Sequence, residues 1–166
     1  MATESGITVT VDDGLAHLVM GDPPVNSFDA PFLQAITDAV LGLPDDVRAL
    51  VISSSIDRIF SAGGDLPWMA AAPLEDQLQF VELCQRTYSL FEEVPYPTIA
   101  AIEGAAMGGG LELTLACDIR IFGADARVGQ PEATIGLIAG AGGITRFVRL
   151  FGRSVAHDLL ITGRRV

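Results

Sequence analysis

What most limits the folds open to this chain is where its glycines fall. They come in clusters, and two clusters share one setting: a compact apolar run, then glycines, then a segment with helical spacing. Gly63-Gly64 follow the run Val47 to Ser53, and Gly108-Gly109-Gly110 follow Thr98 to Ile102. Compact apolar runs of this length read as buried strands. Glycine supplies turns in which the backbone must come close to something else. Strand, glycine turn and helix recurring along the chain favour an α/β layer architecture.

The remaining segments fit that frame. Ile7 to Thr10 and Leu15 to Met20, split by Asp12-Asp13-Gly14, read as a hairpin with an Asp-Gly turn. Asp22-Pro23-Pro24 breaks the chain. Asp29 can cap a helix from Ala30 to Leu41 with Phe32, Leu33, Ile36, Ala39 and Val40 on one face, ended by Gly42 and Pro44. Leu74, Leu78, Val81, Tyr88 and Phe91 give helical spacing over Leu74 to Glu92, closed by Pro95 and Pro97. Met107 to Ala116 opens on glycines and continues as an apolar helix, and Asp118 to Phe122 is a strand. Ile144, Phe147, Val148 and Phe151 repeat as a helix ended by Gly152, and Ser154 can cap another over Val155 to Ile161. No linker or repeat interrupts the chain, so residues 1–166 are expected to form one unit.

Composition narrows the partners. Half of the residues are hydrophobic (49%) and 19% are charged, which supports a packed core. The net charge of -11 argues against nucleic acid or an anionic membrane, which need Lys/Arg stripes. It leaves room for an anionic small molecule bound by a few local arginines. Cys84 and Cys117 are isolated, so buried reduced thiols, a reducing compartment and no structural metal are expected. Met1 to Gly6 lacks the basic-then-apolar order of a signal peptide, and no apolar run reaches the roughly 18 residues of a membrane span. The expectation is a soluble, cytoplasmic protein.

Three constellations carry possible chemistry. Phe60-Ser61-Ala62-Gly63-Gly64-Asp65-Leu66 has adjacent glycines whose amides can be freed from local bonding, with Asp65 able to stabilise the turn or cap the segment after it. An ordinary tight turn explains these residues equally well. Gly108-Gly109-Gly110-Leu111-Glu112 places unpaired amides and a helix dipole together, a donor array for developing negative charge, with Glu112 in the first turn. A dipole-favoured surface carboxylate would explain Glu112 alone. In Gly129-Gln130-Pro131-Glu132 the proline fixes the backbone just before a carboxylate, although a solvated loop glutamate is the default for that motif. Two carboxylates beside one donor array make an acid/base pair that can add water across a double bond, provided burial separates their pKa values.

Together these segments, with Gly104-Ala105-Ala106-Met107 before the triple glycine, Ala116-Cys117-Asp118-Ile119-Arg120 after it, and Gly140-Ala141-Gly142-Gly143, resemble the crotonase, or enoyl-CoA hydratase/isomerase, superfamily along nearly the whole chain. The resemblance implies a spiral of ββα units that lacks the family's usual C-terminal helical region, because Thr162 to Val166 is similar to a mid-chain segment. It implies that the Gly64 and Gly109 amides hold a thioester oxygen, that Glu112 activates water and that Glu132 delivers a proton to the α-carbon. It further implies substrate contacts at Gly108, Asp65 and Ala62, whose carbonyl would meet adenine, and at Arg58, near the coenzyme A phosphates. Trp68 and Met69 can line an acyl pocket or pack in the core. The substrate is then an acyl-CoA thioester, with no cofactor beyond the coenzyme A it carries. Homotrimers or hexamers are expected if the C-terminal region is present. Both glutamates favour a hydratase over an isomerase of the same family, and the short C-terminus motivates a third reading, a non-catalytic acyl-CoA binder. Pro67, Ala139 and the Ile144-Thr145 pair depart from residues frequent in the family, which bears on substrate preference.

Other motifs are weaker. His17 and His157 lie outside every motif and read as structural or surface residues. Gly140-Ala141-Gly142 has the start of a dinucleotide loop but Thr145 where its third glycine would stand. There is no GxSxG elbow and no GK[ST] phosphate loop.

Overall fold

The computed structural model describes residues 6–166; the reading of Met1 to Gly6 therefore lies, but for Gly6, outside the described residues. Strands β1 (Ile7–Asp12) and β2 (Leu15–Met20) form the expected hairpin, with Asp13 and Gly14 at φ 43° and 75°. Positive φ at both turn residues is what a twisted two-residue hairpin demands. A short strand, β3 (Ser27–Phe28), leads into α1 (Ala30–Leu41). The Asp29 carboxylate caps α1 by accepting from the Phe32 amide at 2.8 Å.

The rest of the chain repeats one move. β4 (Ala49–Ser54), β7 (Thr98–Ile102) and β9 (Ile119–Phe122) join a five-stranded sheet in the order β1-β2-β4-β7-β9, parallel from β2 onward. Each is followed by a strand of a second, parallel sheet: β5 (Ile59–Ser61), β8 (Ala105–Met107) and β10 (Arg127–Gly129), in the order β10-β8-β5. Helical segments then follow: α2 (Leu66–Ala71) with α3 (Leu74–Glu93), then α4 (Gly109–Ala116), then a 3-10 helix (Pro131–Ile135) with α5 (Gly143–Thr162). This is a spiral of ββα units. β6 (Gly63–Gly64) pairs with β3 in a separate two-stranded ladder.

The core lies between the large sheet and the helices. Leu18, Met20, Leu50, Ile52 and Ile102 of the sheet meet Phe32, Leu33 and Ile36 of α1 and Tyr88 and Phe91 of α3. Burial of such side chains contributes about 1.5–3 kcal/mol each. Three expectations need correction. The third strand begins at Ala49, because the Val47 amide is spent on the Pro44 carbonyl in a turn. Segment 60–66 contains strands β5 and β6, and Asp65 caps a helix there with Pro67 in its first turn, where a missing amide costs nothing. Glu132 stands on a 3-10 helix where a loop was expected. At Gly152 the backbone leaves the helical region (φ 78°, ψ 165°), so α5 is two helices that meet at a kink there, as the sequence predicts.

Candidate active site

Two glycine turns meet at the ends of β5 and β8. Gly63 takes φ 89°, and a Cβ there would lie 2.8 Å from the Met107 carbonyl and 2.9 Å from the Gly109 nitrogen. Only glycine tolerates both the backbone region and the contact. Buried Asn26 ties this turn down: its Nδ2 donates to the Phe60 carbonyl at 2.9 Å and to Ser54 Oγ at 2.8 Å. Ser61 Oγ donates to the Asn26 carbonyl at 2.7 Å and accepts from the Gly63 amide at 3.0 Å.

The second turn opens α4. Gly108 sits at φ 52°, and Gly109 begins a helix whose leading amides have no acceptor within the helix. The triple glycine also has a packing cause, which the sequence did not suggest: a Cβ at Gly110 would fall 2.7 Å from the Ser61 carbonyl. α4 thus lies directly on β5.

Glu112, in the first turn of α4, is buried. Its Oε1 accepts from the Ala141 amide at 2.9 Å and the Gly143 amide at 2.8 Å. Burial pushes its pKa up to about 7; the Glu132 charge adds to the rise, while the two amides and Arg146 oppose it. Glu132 is half-buried, and burial raises its pKa also. Its Oε1 stands 3.0 Å from where a Gly108 Cβ would be. The amide of buried Gln130 faces the Glu132 carboxyl; with its nitrogen as the facing atom, the orientation that satisfies the carboxylate, it donates to Oε1 at 2.8 Å and Oε2 at 3.0 Å.

These groups line one cavity of about 450 Å³ with a mostly apolar wall. Gly64, Gly108, Gly109, Glu112, Glu132 and Ala62 all face it, so the structure brings most of the expected site residues together. Met69 lines it too, whereas Trp68 packs on Phe80, ring centroids 5.2 Å apart. Asp65 acts as the α2 cap and does not reach the cavity lining. Arg58 is exposed beside Asp57 and borders a separate polar depression of about 1110 Å³, with His17, Ser53 and Arg127. His17 accepts or donates a 2.8 Å bond with Ser53 Oγ there, and His157 contacts Arg153 at the surface. Leu74 and Leu78, which share the helical spacing of α3, are 69% and 57% exposed; they form the cavity's rim with Leu66, Ile135, Leu137 and Ile138.

Cys84 and Cys117 are free and buried, each thiol pushed up to about 12 chiefly by burial. Among the described residues no cluster of His, Cys, Asp or Glu could hold a metal ion, and no helix is long and apolar enough to cross a membrane. Sequence reasoning missed the amides of Ala141 and Gly143, the Gln130 contact, and Tyr88, whose fully buried hydroxyl packs beside Gly109. The Gly140-to-Gly143 cluster was the one available signal for the amides.

A ββα spiral with paired glycine turns and two carboxyls in one apolar cavity defines a crotonase-type protein. The chain belongs to the enoyl-CoA hydratase/isomerase family, whose model matches residues 10–166. It is 38% identical over 165 residues to a crotonyl-CoA hydratase of Syntrophomonas wolfei, covering 98% of this chain and 63% of that protein. A crystal structure of an enoyl-CoA hydratase from Bacillus anthracis superposes with TM-score 0.93 at 33% identity, over 97% of this chain and 64% of that one. A Thermobifida fusca protein described as an enoyl-CoA hydratase, crystallised with acetoacetyl-CoA, matches with TM-score 0.88 at 27% identity, over 98% and 68%. The chain spans about half to two thirds of the length of such relatives, for instance 52% of an Arabidopsis thaliana enoyl-CoA hydratase 2.

Proposed function

We propose that residues 1–166 form a single catalytic core that adds water across the double bond of a trans-2-enoyl-CoA. The observation that carries this reading is that Glu112 and Glu132 face one cavity beside the Gly109 turn. In this mechanism the Gly64 and Gly109 amides donate to the thioester oxygen, which gains negative charge as its carbon chain is attacked. Glu112 takes one proton from water while the water oxygen bonds to the β-carbon. The carbon–carbon π pair moves toward the thioester to give an enolate, and Glu132 gives its proton to the α-carbon. The product is a 3-hydroxyacyl-CoA, and the two carboxyls then exchange one proton to reset.

The electrostatics suit those roles. A base with pKa about 7 is largely charged in mildly alkaline solution and still strong enough to take a proton. Both amides grip Oε1 of Glu112, which leaves Oε2 to hold the water. Burial favours the protonated form of Glu132, as a proton donor requires. The apolar wall and rim suit an acyl chain. In this reading Ala62 meets the adenine, Arg58 lies toward the phosphates, Asp65 and Gly108 shape the thioester end, and Trp68 backs the acyl pocket through Phe80. The only coenzyme is the one the substrate carries, neither nucleic acid nor membrane is a partner, the setting is the cytoplasm, and the assembly is a homotrimer or hexamer where the family's C-terminal region is present.

Product analysis tests the reaction. Incubation with a short trans-2-enoyl-CoA should yield 3-hydroxyacyl-CoA. A shifted double bond with no hydroxyl product would make the protein an isomerase, and binding without any turnover would make it a thioester binder.

A further inference from the structure

Arg146 is buried in the first turn of α5, where its charge opposes the helix dipole and its burial costs solvation. One of its nitrogens, Nε, has no hydrogen-bond partner. A side chain at Gly142 would run into the guanidinium, so that glycine, at φ 101°, makes room for it. Such an arrangement calls for a compensating use. Nη1 donates to the Ala141 carbonyl at 2.9 Å, while Nη2 donates to Glu92 on α3 and reaches Ser89 Oγ at 3.5 Å. The turn it clasps is the one that supplies the Ala141 and Gly143 amides to Glu112.

We propose that Arg146 is a positioning residue for Glu112: anchored to Glu92, it holds the 140–143 turn so that two amides grip the carboxylate. The inference deepens the hydratase reading and rests on it for its catalytic meaning. The charged and titratable groups around the pair come from every packed element. They are Glu112 on α4, Cys117 at its end, Cys84, Tyr88 and Glu92 on α3, and Glu132 on the 3-10 helix. Against this largely anionic or neutral set Arg146 is the cation that favours the charged form of Glu112.

The test is a carboxyl-carbon NMR titration of Glu112 in the wild type, Arg146→Met and Glu92→Ala, with the pH dependence of kcat measured alongside. Both variants should raise the Glu112 midpoint by roughly half a pH unit or more and lower kcat by roughly ten-fold. Glu92→Ala decides the matter. Removing an anion, with no other effect, can only lower a neighbouring carboxyl's midpoint, so a rise means that the grip on Glu112 has loosened. A midpoint in Glu92→Ala that is unchanged or lower overturns the proposal. Glu92 is half-exposed, so that variant answers even if Arg146→Met does not fold. The titration needs no turnover. Absence of hydration by the wild type would count against the proposed function, and an unmoved titration would count against Arg146.

Discussion

Replacing Glu112 with glutamine should make the protein more stable in mildly alkaline solution while removing its activity. The carboxyl's pKa rises from 4.5 to about 7 on folding, mainly through burial. Below about pH 4.5 the group is protonated in both folded and unfolded chains and imposes no penalty. Between the two values the unfolded chain releases its proton more readily, so stability falls as pH rises, and above about pH 7 the whole penalty is present. A shift of that size is worth about 3 kcal/mol. In a chain of this length each kcal/mol moves Tm by about 2–4 °C. Glutamine keeps an oxygen for the Ala141 and Gly143 amides and carries no charge. Thermal melts followed by circular dichroism at about pH 5 and about pH 8 should therefore show the variant's Tm advantage growing by roughly 5–10 °C. Parallel profiles for the two proteins would refute the reasoning, because they would mean that Glu112 titrates alike folded and unfolded.

Three further outcomes rest on the same geometry. Gly63→Ala should destabilise the fold by roughly 2–3 kcal/mol in chemical denaturation, since a Cβ meets Met107 and Gly109 backbone, whereas Gly136→Ala, at φ 79° in open space, should cost roughly 1 kcal/mol. Gln130→Leu removes two donors from the Glu132 carboxylate, so the Glu132 midpoint should rise in a carboxyl NMR titration; an unmoved midpoint would mean the amide does not bond it. Cys84 and Cys117, with thiols near 12, should resist a disulfide reagent at neutral pH until the protein is unfolded, and prompt labelling of either in the native state would contradict their burial.

Local signals were strong where one residue type has one physical use. Asp13-Gly14 marked the hairpin, Asp29 marked the start of α1, and the clustered glycines marked both turns of the site. The site's carboxylates were legible because each followed a backbone feature that fixes it, a helix start for Glu112 and a proline for Glu132. What pairs across long stretches of chain was not. Glu112 meets amides 29 and 31 residues away, and Arg146 meets Glu92 over 54 residues, distances at which no local pattern operates. Two-residue strands such as β3 and β6 exist only because tertiary packing brings them together. Leu74 and Leu78 had helical spacing, yet periodicity does not distinguish a core face from the rim of a cavity.

The central claim is that two glutamates in one cavity divide the work of hydration. It is tested most directly by following loss of the conjugated-thioester absorbance of a trans-2-enoyl-CoA with the wild type, Glu112→Gln and Glu132→Gln. The account expects turnover by the wild type and a kcat lower by about 10²–10⁴ in each variant, with KM little changed. Turnover by either variant at the wild-type rate would contradict it.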